Sequence, residues 1–248
     1  KNAQEAGSRN GQHKAFCNQI WVLAAAAFGM GTLVFGWTTY MISWAASEAG
    51  AKKPLIYGNT AVLIITAVVL VLLYWKRYRK TGTVWTVADR KLISDSRAFR
   101  KECILFGFLL VFLTWIMFYV FYIRNGELYS GFSVYGDYAP HTAMMRSFSK
   151  GNNFPTEYPH FMFQFLVGNL EFLGIRLDFA YNIESVLALL GFLMLLYSIA
   201  KRLTASLAAG ILTLVLFFFR SSLSFFHFVT EHLQAKDLWA TLRDNTTF

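Results

Sequence analysis

Asp137 and His141 are the residues in this chain best placed to do chemistry. A carboxylate and an imidazole four apart share one face of a helix. Together they can take a proton from a nucleophile or orient it. Arg146 and Lys150 follow, again four apart. The same element thus places a carboxylate, an imidazole and two cations near the lipid headgroups. Pro140 predicts the first turn of the helix, Gly151 its end, and the run from Asn152 to Pro155 a turn. The expected element is a short amphipathic helix. From spacing alone, a solvated surface helix explains the same pair equally well.

The elements that must position these residues are membrane spans. The 248 residues are 56% hydrophobic and 18% aromatic with only 15% charged, well below the charge content of a soluble domain. Spans need about twenty mostly apolar residues. Ile20–Ala46, Leu55–Trp75, Cys103–Ile123 and Phe179–Ala200 meet that length, and Leu203–Phe219 is a short fifth. Glu184, near the start of the fourth, is an acidic residue inside these runs. The expected fold is an all-α, polytopic transmembrane protein of about five spans, with external juxtamembrane helices. Two regions are expected, a two-span part over 1–102 and a core over 103–248.

Direction follows from Lys and Arg. The densest basic cluster, Lys76 to Lys101, predicts a cytoplasmic loop, which accounts for the net charge of +9 without nucleic acid as a partner. Arg124–His160 and Arg220–Phe248 are then expected on the non-cytoplasmic side, and Ser47–Pro54 with them. Phe161–Gly174 is too short to cross and is expected along the interface, in contact with lipid. Val84–Phe99 reads as an amphipathic surface helix. Ala24–Ala27, Gly29 and Gly31 read as a close-packing patch. Cys17 and Cys103 each open an apolar segment and read as inert thiols.

The loop that runs from Gly136-Asp137 through His141 to Arg146-Ser-Phe-Ser-Lys-Gly-Asn-Asn-Phe-Pro155 resembles the GT-C glycosyltransferases. These are integral membrane enzymes that use lipid-phosphate-linked sugars, such as protein O-mannosyltransferases and oligosaccharyltransferases. The likeness covers roughly Leu110–Phe219 and includes an apolar hairpin turning at residues 200–203. It implies that Asp137 is the essential acid of the first external loop, with His141 tuning it or touching phosphate. Arg146, Lys150, Asn152, Asn153, Glu157, His160 and Arg220 are the candidate substrate-binding residues. The implied donor is a polyprenyl-phosphate-linked sugar, the acceptor a glycan or protein, and the location a bacterial plasma membrane. Two spans precede the one that leads into the loop, a departure from the simplest members, and the passage from Pro159 into Phe161–Gly174 is shorter than the family pattern.

A divalent metal (Mg or Mn) serves some members, and Asp137 with Glu157, Glu231, Asp237 or Asp244 offers oxygen ligands. His227, Glu231 and His232 lack a complete ligand set and read as a solvated loop. The competing classes are a transporter subunit and a non-catalytic membrane subunit of a larger assembly. Against the first, the middles of the spans carry no ionisable residue. A start at Lys1 without Met and a stop at Phe248 after a polar segment are expected of part of a longer protein.

Overall fold

Four apolar stretches form helices because backbone polar groups in a bilayer must be satisfied within the segment itself. In a computed structural model, which describes residues 19–82, 96–130, 135–218, 229–231, 233–234 and 240, these are α1 (Gln19–Glu48), α2 (Pro54–Thr81), α3 (Ser96–Val120) and α6 (Leu177–Thr204). Each is long and apolar enough to cross a membrane. Between α3 and α6 lie a hairpin of β1 (Phe121–Arg124) and β2 (Glu127–Ser130), then α4 (Tyr135–Ser149) and α5 (Met162–Phe172). A last helix, α7, spans Leu207–Phe218. The chain divides into two units at Leu195.

In the first unit α1 and α2 pack side by side. Pro54 opens α2, where no amide donor is needed. Gly82 closes it at φ +67°, its N–H donating to the Tyr78 carbonyl at 2.8 Å. Gly58 lies so close to Thr39 and Ser43 of α1 that a Cβ there would overlap the Ser43 hydroxyl. Gly36, with Leu166 Cδ2 3.0 Å from where its Cβ would stand, is the second tight position of α1 and α2. Gly29 and Gly31 have nothing within 4 Å. The expected small-residue patch is therefore corrected at Gly29 and Gly31, while Ala25 is buried; the tight glycine contacts are those of Gly58 with α1 and of Gly36 with Leu166 and Met162 of α5.

The third span is corrected as well. The helix stops at Val120, and Phe121–Ile123 belong to β1. Asn125 (φ +54°) and Gly126 (φ +82°) are consecutive left-handed residues, the requirement of a tight hairpin turn. Tyr122 then stacks on its partner Tyr129 at 5.0 Å, and Arg124 stands opposite Glu127. The described fold is helical apart from this ribbon.

Two residues of α6 hold the hairpin down. Asp178, fully buried, accepts the Ile123 N–H at 2.9 Å. Asn182, one turn on, donates to the Phe121 carbonyl at 2.7 Å. Arg176 closes the arrangement with a two-pronged bond to Asp178 at 2.6 and 2.7 Å. That bond raises the Arg176 guanidinium above its ordinary pKa.

α4 and α5 pack against each other around two clusters. Tyr40, Leu55, Phe148 and Phe165 form one, and Met145, Val167, Leu177 and Ala180 the other. Gly168 makes the approach possible: a Cβ there would overlap the Met145 carbonyl and lie 2.9 Å from Phe148 Cβ. Gly168→Ala is expected to cost about 1–3 kcal/mol by forcing the helices apart. Gly29→Ala, with open space around it, should leave stability within about 0.5 kcal/mol of wild type or raise it. Thermal melting in detergent compares the two, and equal melting points would refute this account of Gly168. Asn59 of α2 and Asn169 of α5 add a reciprocal amide pair at 2.7 and 3.0 Å.

α4 ends as anticipated. Gly151 (φ +80°) donates to the Phe148 carbonyl at 2.8 Å and Asn152 to the Ser147 carbonyl at 3.0 Å, a left-handed cap. Its start differs from expectation. The helix begins at Tyr135, so Pro140 lies inside it and not in its first turn. α5, at 11 residues, is about 16 Å long, half of a bilayer core.

In the second unit the described part of the fifth expected span is only the 12 residues of α7. Leu203 and Thr204 belong to α6, and Ala205 breaks the chain at φ +54°. The described residues thus hold four candidate spans. Ser206 caps α7 by accepting the Ala209 N–H at 3.3 Å. Gly210 packs on the Tyr197 ring, and the Lys201 ammonium lies 6.0 Å from that ring's centre. Of the predicted surface helix Val84–Phe99, residues 84–95 lie outside the described residues, and Ser96–Phe99 begin α3.

Candidate functional site

The first turn of α4 carries Asp137, where a carboxylate is favoured by the positive end of the helix dipole. One turn later His141 stands on the same side. The two line a cavity of about 310 Å³ together with Tyr138, Met145, Phe163, Gln164 and Tyr181. Asp137 is exposed and His141 half-buried, so the acid meets solvent while the imidazole sits deeper.

Aromatic rings build the wall. Phe121, at the start of β1, stacks on Tyr138 at 5.1 Å and packs on Tyr181 at 4.4 Å. Phe163 meets Tyr181 edge-on at 5.3 Å. The hairpin anchor on Asp178 and Asn182 therefore also fixes Phe121, and through it the tyrosines. Tyr158 packs edge-on to His141 at 5.8 Å. The Gln164 side-chain amide is 3.0 Å from Nδ1 of the same imidazole. The wall combines ring faces and edges with one carboxylate, one imidazole and two phenols. It can hold a ring-shaped organic group and offer it a proton acceptor.

The remaining sequence candidates are spread over the surface around α4. Arg146 is half-exposed and paired with Glu171 of α5 at 3.2 Å. Lys150 is exposed one turn further on. Asn152 supplies its backbone to the α4 cap, while Asn153 (φ +70°) donates its amide to Thr156 Oγ1 at 3.3 Å. Glu157 and His160 are exposed, and the His160 ring lies 6.2 Å from that of Tyr158. None of these six lines the cavity. Arg220, His227, His232, Asp237 and Asp244 lie outside the described residues.

Among the described residues, no three His, Cys, Asp or Glu side chains gather as a metal site would require. Asp137 and Glu157, two of the candidate oxygen ligands, are both exposed, and Asp237 and Asp244 lie outside the described residues. Cys103 is an exposed free thiol; Cys17 lies outside the described residues.

Gln164, Tyr138 and Tyr181 were not anticipated. Gln164 had a signal, as the polar residue in the apolar run Phe161–Val167. The tyrosines had none, since aromatic residues are everywhere in this chain. Comparison with protein families, with curated proteins and with solved structures gives no match.

Proposed function

We propose that this chain belongs to a membrane glycosyltransferase that moves a sugar from a polyprenyl-phosphate donor to an acceptor on the non-cytoplasmic side. The observation that carries the reading is the shared cavity of Asp137 and His141, on the first helix after α3. The likeness of this loop to the GT-C enzymes supports it further.

In the proposed reaction an acceptor oxygen or nitrogen attacks the anomeric carbon of the sugar. The bond from that carbon to the phosphate oxygen breaks, and the phosphate leaves with its electron pair. The acceptor's proton passes to Asp137 or His141. The leaving phosphate needs a cation, and Arg146 on the same helix and Lys150 just past its end are described candidates. Arg146 would have to leave Glu171, a half-exposed pair of small strength. Tyr138, Tyr181 and Phe163 offer ring faces and edges to the sugar.

The sidedness rests on the basic loop at 76–101. It is supported by Pro54, which sits against Gly151: the α1–α2 turn and the end of α4 lie together, which segments on opposite faces of a membrane could not do. Cysteines placed at Ser130 and Ser94, with Cys17 and Cys103 replaced, are expected to label from outside at Ser130 only. Equal labelling at both positions would contradict the topology.

The function is tested by incubating the purified protein in nanodiscs with polyprenyl-phosphate sugars and scoring transfer to added acceptors. Transfer that requires the protein supports the reading. Failure with every donor, accompanied by solute flux in liposomes, would favour a transporter instead.

A further inference from the structure

Gln164 has no part in the bond changes above, yet it is 7% exposed and reaches into the site. A buried amide needs partners for both its nitrogen and its oxygen. Three groups surround this one: the carbonyl oxygens of His160 and Phe161, and Nδ1 of His141. Carbonyl oxygens only accept, so the amide nitrogen must face them, donating at 2.7 Å to His160 and 3.2 Å to Phe161. The amide oxygen then faces Nδ1 at 3.0 Å. An oxygen can only accept, so Nδ1 must carry the hydrogen. In the neutral ring the lone pair is left on Nε2.

The backbone makes this arrangement firm. The Phe161 carbonyl also accepts the Phe165 N–H at 2.8 Å, so its place is set by the first turn of α5. Gly168, one turn after Gln164, brings α5 against Met145 of α4. Neither carbonyl titrates, so the amide keeps its orientation across the physiological pH range.

We infer that Gln164 is a positioning residue that locks His141 as the Nδ1–H tautomer and makes Nε2 the proton-accepting atom of the imidazole. This rests on the acid–base role proposed for His141. The lock survives the transfer itself. When the acceptor's proton moves to Nε2, the imidazolium still donates from Nδ1 to the Gln164 oxygen. When that proton leaves for solvent or phosphate, nothing in the lock has moved. An orienting hydrogen bond at one ring nitrogen in this way selects the chemistry of the other.

The test is long-range proton–nitrogen correlation NMR on protein labelled with nitrogen-15 histidine, in nanodiscs, above the pH of imidazole titration. The His141 signals are identified by their loss in His141→Gln. Wild type is expected to show a protonated Nδ1 and an unprotonated Nε2. Gln164→Leu is expected to shift His141 towards the Nε2–H form, the preference of an unconstrained side chain. Its transfer turnover should fall by about tenfold or more with little change in Michaelis constant.

A wild-type spectrum with hydrogen on Nε2, or an identical spectrum in Gln164→Leu, overturns the lock. A changed tautomer with unchanged turnover overturns the positioning role. Should wild type transfer no sugar at all, the glycosyltransferase reading fails while the spectrum still decides the lock. Should Gln164→Leu not fold, the wild-type spectrum decides by itself.

Discussion

Asp137→Asn is expected to lower sugar transfer by about a hundred- to ten-thousandfold. The substitution keeps the shape of the side chain and removes its charge and its capacity to hold a proton. Asp137 is exposed in the first turn of α4, so losing its charge should leave folding within about 0.5 kcal/mol of wild type. Donor binding should change little, because the carboxylate would act on the acceptor and not on the phosphate. The loss should therefore fall on turnover more than on the Michaelis constant. Arg146 provides the contrast. Its replacement by Gln is expected to raise the Michaelis constant for the donor more than it lowers turnover. Initial rates of transfer, with melting measured on the same preparations, separate these outcomes. Full activity in Asp137→Asn would remove the catalytic assignment and move the non-catalytic subunit ahead.

Asp178→Ala should destabilise the fold by about 2–3 kcal/mol. The carboxylate is fully buried and joins the Ile123 amide to the Arg176 guanidinium. Removing it leaves a half-buried backbone N–H without its acceptor, which costs about 1–3 kcal/mol. The guanidinium adds less, since its side chain is 54% exposed and can turn to water or headgroups. Asp178→Asn keeps an oxygen for the Ile123 amide and should lose only about 1 kcal/mol. In a chain of this size the alanine change corresponds to a melting shift of roughly 4–12 °C. Transfer should fall as well, because the hairpin carries Phe121, on which Tyr138 and Tyr181 rest. An alanine variant that melts with wild type would show that the hairpin is held by Asn182 and packing alone.

These two aspartates were not equally legible. Asp137 stands in a polar loop with His141 at helical spacing, a pattern visible in one dimension. Asp178 sits at the head of an apolar span, where an acidic residue reads as a first-turn charge favoured by the helix dipole. Its bond to Ile123 crosses 55 residues of chain, and no local pattern encodes a contact at that range. Tyr181 was invisible for a similar reason. Its place in the cavity depends on α6 lying beside Phe121, which is a matter of packing.

Where α3 ends also divided sequence from structure. Hydropathy runs on through Phe121, Tyr122 and Ile123, because aromatic and β-branched residues suit a membrane helix and a strand alike. The Asn125-Gly126 pair was the deciding local signal. Its two left-handed residues turn the chain back on itself, and the three residues before Arg124 then gain more from pairing with β2 than from a further helical turn.

By itself, the sequence determined the features that local physics dictates. Long apolar runs must be helices in lipid, because no other single segment satisfies its own backbone there. Gly151 had to end α4, because it adopts a left-handed backbone without strain. Asp137 and His141 had to share a helix face, because four residues are about one turn. Only the tertiary structure decided what faces them. Gln164 is 23 residues beyond His141, and it reaches Nδ1 because Gly168 lets α5 lie against α4. Which nitrogen of His141 holds its hydrogen is thus set by two backbone carbonyls on another element, a consequence of three-dimensional packing and of hydrogen-bond direction.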